Sequence, residues 1–128
     1  MSDYTLPREE RLRSLTAIRR LFSEGRGVFV YPFRVVTLVE ECGGECEGEL
    51  EVMFSVPKKF HKRANKRNLL KRRTREAYRL NRGDLKPTVE QSGKRLHCAL
   101  VLSTKDIPSY KTIEYAVKRI LEQVRESL

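Results

Sequence analysis

Apolar residues recur at helical spacing at the two ends of the chain and at strand spacing between them. Leu15, Ile18, Leu21 and Phe22 fall on one face of a helix that Ser14 caps and Gly25 stops. Ile113, Ala116, Val117, Ile120, Leu121 and Val124 follow the i, i+3, i+4, i+7, i+8, i+11 order of a core-facing stripe, in a last helix that starts at Ser109. A turn-like, aromatic stretch from Gly27 to Pro32 leads into a strand from about Phe33 to Val39, and Gly43, Gly44 and Gly48 break it from the next. There Leu50, Val52, Phe54 and Val56 alternate with Glu51, Met53 and Ser55 before Pro57 ends the run. Period two means one buried face and one available to solvent or a ligand. Leu96 to Ser103 is apolar on both faces, as in a central strand, whereas residues 1–13 lack periodicity and read as an extended arm. With no internal repeat, the 128 residues read as one α/β domain of two layers, helices packed on a small sheet.

A third helix, from about Ala64 to Asn81 and ended by Gly83 and Pro87, carries a different pattern. From Lys58 to Arg82 there are twelve Lys and Arg against Glu76 alone, a net +11 in a chain of net +10, so the rest sums to −1. With 100° per residue, Arg67, Lys71, Arg72, Arg75, Arg79 and Arg82 share an arc of about 140° that also holds Asn68. Leu69, Leu70, Ala77 and Leu80 take the opposite side, and the stems of Lys66 and Arg73 can snorkel from it. Like charges at i, i+4 repel by a few tenths of a kcal/mol each, so the arrangement becomes favourable when a polyanion approaches. An ordinary solvated face mixes signs. Arginine outnumbers lysine along the helix, which suits bidentate contact with phosphates, and the Asn68 amide suits ribose, base edges or a carboxylate.

Charge also excludes. With 34% charged residues and no apolar run of 18, the chain carries no membrane-spanning segment, and the apolar side of the basic helix is too short to lie in a membrane surface. MSDYTLPREER lacks the apolar core of a secretory signal, so a cytoplasmic address and three reduced thiols are expected. Between Glu40 and Glu51 lie six glutamates and no Lys or Arg, read as a solvated acidic hairpin tip over 41–49 that points away from phosphate. Metal-dependent nucleases bring carboxylates together on two ions. These glutamates lack basic neighbours, His61 and His97 have no pairing spacing, and Cys42 and Cys46 with His97 or Cys98 are a weak zinc signal. No catalytic residue and no metal site in the protein are expected.

The stretch FSVPKK followed by KRNLLKRRTREAYR resembles the signature of the bacterial ribonuclease P protein subunit. Ser55, Val56, Lys58 and Lys59 match its strand end, and Arg67, Asn68, Lys71, Arg72, Arg75, Glu76 and Ala77 match its helix. Leu69 stands in place of a motif arginine, Tyr78 in place of the common Phe, and Ile18 in place of a Phe of the first helix. The likeness runs over about residues 11–125. It implies an α+β, ribosomal-protein-like fold: a four-stranded mixed sheet with three helices and a left-handed β-α-β crossover, contrary to the usual right-handed rule. It also implies the small subunit of a ribonucleoprotein that cuts the 5′ leader from precursor tRNA. The RNA subunit, which mainly binds the Mg²⁺, performs the hydrolysis; catalytic RNA and precursor tRNA are the partners, with no obligate protein partner and no membrane. Arg67, Asn68, Lys71, Arg72, Arg75 and Arg79 would grip the catalytic RNA. A cleft between the first helix and the open sheet face would hold the leader, with Phe22, Phe33, Tyr31 and Tyr78 as candidate stacking platforms and Arg19, Lys58 and Lys59 as its cations. A structural RNA-binding protein of ribosomal type remains the alternative; a DNA-reading helix calls for base-reading side chains that so uniform a cationic face lacks.

Overall fold

The computed structural model describes residues 11–41, 48–83 and 85–128. In chain order they form α1 (Leu15–Glu24), β1 (Arg26–Val30), β2 (Phe33–Glu41), β3 (Glu49–Ser55), α2 (Ala64–Asn81), α3 (Leu85–Ser92), β4 (Lys94–Leu102) and α4 (Tyr110–Ser127). The sheet order is β1-β2-β4-β3. β1–β2 and β2–β4 are antiparallel, while β3 and β4 run parallel and are joined through α2 and α3. The architecture is α+β with a mixed four-stranded sheet, but with four helices rather than three.

Alternation along the strands divides two cores. Phe33, Val35, Leu50, Val52, Leu96, Cys98, Leu100 and Leu102 point to the face covered by α2, α3 and α4, whose stripe from Ile113 to Val124 is buried there as its spacing required. Val36 and Ala99 point to the other face, where Leu21 of α1 and Leu12 cover them. Ser14 and Ser109 cap α1 and α4, their hydroxyls accepting from the amides of Ala17 and Thr112, both at 3.3 Å. None of the described helices is long and apolar enough to cross a membrane.

Four expectations need correction. The turn-like, aromatic stretch Gly27–Pro32 includes most of β1, an exposed edge strand that lacks the alternating burial by which strands are recognised. Pro87 does not terminate a helix; it lies in the first turn of α3, where a backbone N–H has no intrahelical partner to lose. The glutamate-rich stretch does not join a hairpin, because β4 lies between β2 and β3. Residues 42–47, with Cys42 and Cys46, lie outside the described part, as do residues 1–10 of the arm. Nor do the flanking acids lack basic neighbours: Glu40 pairs with Arg20, and Glu49 accepts from Arg95 Nε at 2.8 Å. The described end of the arm is fastened, Leu12 donating its amide to the Val52 carbonyl at 3.0 Å along the outer edge of β3.

Gly25 stops α1, though not by a left-handed turn: its φ is −71°. A Cβ there would sit 2.7 Å from Val36 Cγ1 and against the Leu21 carbonyl oxygen, so the glycine lets the helix end lie directly on β2. Gly25→Ala should therefore cost about 1–3 kcal/mol as an overpacked contact. Thermal denaturation checks this, and an unchanged midpoint would mean the helix end has room to move.

Candidate nucleic-acid interface

α2 packs against the sheet through Leu70, Thr74, Ala77 and Tyr78. This strip is rotated from the expected one, leaving Leu80 exposed and Leu69 half-buried. The cause is two side chains with polar tips and apolar bodies. Thr74 Oγ1 donates to the Leu70 carbonyl at 2.8 Å, so its hydroxyl is satisfied inside, and the Tyr78 ring meets Phe54 edge-on at 5.5 Å. Tyr78 is thus core and not a stacking platform.

The outer side of α2 shows Asn68, Arg72 and Arg75 exposed, with Lys71 and Arg79 half-buried beside them. Arg79 is paired with Glu76 at 2.7 Å. Among the described residues Lys58, Lys62, Arg63, Lys71, Arg72 and Arg75 have no carboxylate partner. Arg67 is different from its neighbours: its Nη1 donates to the carbonyls of His61 and Lys62, at 3.0 and 2.7 Å. His61, buried, donates from Nε2 to the Thr104 carbonyl at 2.8 Å. Arg67 and His61 together fix the loop that carries Lys58 and Lys59 between β3 and α2. Lys59 lies over the Phe60 ring, 5.0 Å from its centroid.

A second surface adjoins this loop. The strand registers align Phe29, Arg34, Val101 and Ser55 in one row across the sheet, on the same face as α1. Three strand spacings make the row about 14 Å long. α1 packs over the neighbouring row, on Val36 and Ala99, and its Arg20 is tied to Glu40 at the far end of β2. Phe22 lies about 200° around the helix from Arg20, on the flank turned toward Arg34. Phe22 is 42% exposed and Arg19 is exposed, while Lys58 and Lys59 follow Ser55 at the end of β3. Phe22 and Arg19 thus stand on the helix over the face whose floor row is Phe29, Arg34, Val101 and Ser55, and Lys58 and Lys59 follow that row at the end of β3.

Phe33 does not join them. It is 1% exposed and belongs to the core beneath α4, because strand alternation turns it away from its neighbour Arg34. Arg34 and Phe29 are the floor residues missed from sequence. A polar residue inside an otherwise apolar strand was the available signal, since it marks the parity of β2.

The remaining titratable groups do not converge. Burial pushes the Cys98 thiol up to about 12, which keeps it protonated. His97 points to the opposite face of β4, with Nε2 at 3.6 Å from Glu51 Oε1, so one ion cannot take both side chains. Among the described residues no three His, Cys, Asp or Glu side chains are arranged to hold a metal ion.

Residues 6–125 match the family described as Ribonuclease P. The ribonuclease P protein component of Porphyromonas gingivalis is 34% identical over 122 residues, covering 94% of this chain and 87% of the relative. The ribonuclease P protein of Thermotoga maritima superposes with a TM-score of 0.66 at 23% identity, over 89% of this chain and 96% of that one. The Staphylococcus aureus protein gives 0.64 at 21%, over 90% and 94%. At these identities the two solved structures support the fold, which agrees in its mixed sheet and its helices. The extent of the family match and the identity to the Porphyromonas protein go further: the chain belongs to the ribonuclease P protein family.

Proposed function

We propose that this chain is the protein subunit of a ribonuclease P ribonucleoprotein that removes the 5′ leader of precursor tRNA in the cytoplasm. The observation that carries the reading is the outer side of α2, where Arg72, Arg75 and Lys71 stand beside Asn68 with no carboxylate among the described residues to neutralise them. That surface binds the backbone of the catalytic RNA. The leader, as an unpaired strand, lies across the row from Ser55 to Phe29, its bases against Phe22 and its phosphates near Arg19, Lys58, Lys59 and Arg34. Stacking on an aromatic ring plus nearby cations is how single strands are held without sequence readout. Phosphodiester hydrolysis belongs to the RNA subunit, which mainly binds the Mg²⁺. The protein contributes position, and it needs no general base or nucleophile of its own.

Cleavage of precursor tRNA at low Mg²⁺ tests the reading, with the RNA alone, the protein alone and both together. Stimulation in the mixture is expected, with no cleavage by the protein alone. Phe22→Ala should weaken binding of precursor about tenfold, the cost of one lost stacked base, and leave mature tRNA unaffected. No stimulation would make the chain a purely structural RNA binder, and equal losses for both tRNAs would remove the leader from the cleft.

A further inference from the structure

We propose that the outer side of α4 is a second RNA contact, where an unpaired base of the catalytic RNA stacks on Tyr115 and its flanking phosphates meet Lys111, Lys118 and Arg119. The proposal rests on the reading of α2 given above, because it extends that surface. The apolar stripe of α4 buries one side of the helix and turns the other to solvent. Tyr115 stands in the middle of that outer side, 64% exposed, the most open of the large apolar side chains among the described residues. It belongs to neither core, so its ring contributes little to folding.

The ring is held ready for a ligand. Arg119 Nη1 donates to the Tyr115 hydroxyl at 3.3 Å, and the guanidinium carbon lies 5.9 Å from the ring centroid. Lys111, Tyr115 and Arg119 are spaced four apart, about 6 Å per step along one ridge of the helix, and Lys118 adjoins them. All three cations are exposed, and among the described residues none of them forms an ion pair. Glu114 is the only acid between Lys111 and Arg119, and it is turned to α2, accepting from Asn81 Nδ2 at 3.2 Å and from the Tyr110 hydroxyl at 3.3 Å. A ring for a base beside cations for phosphates is what an unpaired nucleotide requires, whereas a duplex backbone has no use for the ring. On the following turns Glu122 and Glu126 are exposed, and Glu122 bears on Arg119. Their charge repels phosphate, which confines the contact to the first half of α4.

Position relative to α2 names the partner. Three ties hold the two helices side by side. Arg73 Nη1 donates to the Pro108 carbonyl at 2.8 Å just ahead of α4, Glu76 and Arg79 lie within electrostatic range of the Tyr110 hydroxyl, and Asn81 reaches Glu114. Packed helices are about 10 Å apart, so RNA lying along the outer side of α2 has the outer side of α4 one helix width away. The cleft beside α1 is on the opposite face of the sheet, which keeps the leader from Tyr115. A second copy of this chain is repelled by a net charge of +10. The catalytic RNA is the occupant that both the charge and the neighbouring surface fit.

The test is assembly of the full chain with the full-length catalytic RNA, followed by binding of precursor and mature tRNA to the assembled particle. Tyr115→Ala should weaken assembly about tenfold, the cost of one stacked base, and Tyr115→Phe should keep most of the affinity. Neither should change the melting temperature. Lys111→Gln with Lys118→Gln should lower the salt dependence of assembly by about two phosphate contacts. Chemical probing of unpaired nucleotides should reveal a small group in the RNA that the wild type protects and Tyr115→Ala exposes, while the protections that depend on Arg72 and Arg75 remain. Preference for precursor over mature tRNA should stay unchanged once the particle has formed. Unchanged assembly with Tyr115→Ala overturns the proposal. So does a loss confined to precursor binding or to association between protein copies, which would place the substrate or a second copy on Tyr115. Arg72→Ala with Arg75→Ala separates the two readings. If that pair weakens assembly and Tyr115→Ala does not, α2 stands and the contact on α4 falls; if the pair changes nothing, the reading of α2 itself falls.

Discussion

Raising the salt from about 50 to about 200 mM should weaken binding of this chain to the RNA partner proposed for it by about a thousandfold. Each phosphate that a Lys or Arg neutralises releases counterions, and the affinity falls with the logarithm of salt in proportion to their number. About six contacts suffice for the expected loss, and Lys58, Lys62, Arg63, Lys71, Arg72 and Arg75 supply six cations without a carboxylate partner among the described residues. Titrating salt against the double variant Arg72→Ala, Arg75→Ala should show the slope reduced by about two, with the melting temperature unchanged because both side chains are exposed. Arg67→Ala should behave differently. It removes the donor shared by the His61 and Lys62 carbonyls, loosening the loop as well as the contact, and a destabilisation of about 1–2 kcal/mol should accompany any loss of RNA binding. A flat titration of the wild type would remove the polyanion role of α2 altogether.

The contrast between Arg67 and Arg72 shows what the sequence could convey. Charge density alone located α2, and its bounds from Ala64 to Asn81 agree with the signals at either end. Which way its cations point was harder, since Thr74 and Tyr78 look polar on a helical wheel and still take the buried strip once a carbonyl and a ring satisfy them. Arg67 looked like its neighbours because its partners are backbone carbonyls, which no residue pattern reveals. In β2 the one-residue parity decides everything: Phe33 and Val35 go to one core and Arg34 and Val36 to the opposite face, yet three of the four are apolar. Placement of β4 between β2 and β3 is a long-range fact, and it turned an apparent acidic hairpin into two separate strand ends bound by Arg20 and Arg95.

If α1 carries the proposed leader site and α2 the proposed RNA contact, Leu21 is the residue whose loss should separate the two. Leu21 is the one fully buried side chain of α1, and among the described residues its cluster on that face contains only Leu12, Val36 and Ala99 besides, with Ala17, Ile18, Leu38 and Met53 half-buried around them. Leu21→Ala should cost about 2–5 kcal/mol at that site. The opposite core holds twenty buried residues among those described, in a cluster separate from that of Leu21, so the loss is expected as local unfolding of α1. Amide hydrogen exchange should accelerate in α1 while protection in α2 and β4 stays, and the catalytic RNA should still assemble through Arg72 and Arg75. Preference for precursor over mature tRNA should then fall about tenfold, as for loss of Phe22, because Phe22 is carried by α1. Leu21→Met, close in volume, should restore most of both properties. If Leu21→Ala instead abolishes assembly together with leader preference, the two faces of the sheet are energetically one unit, and the division of labour between α1 and α2 is wrong.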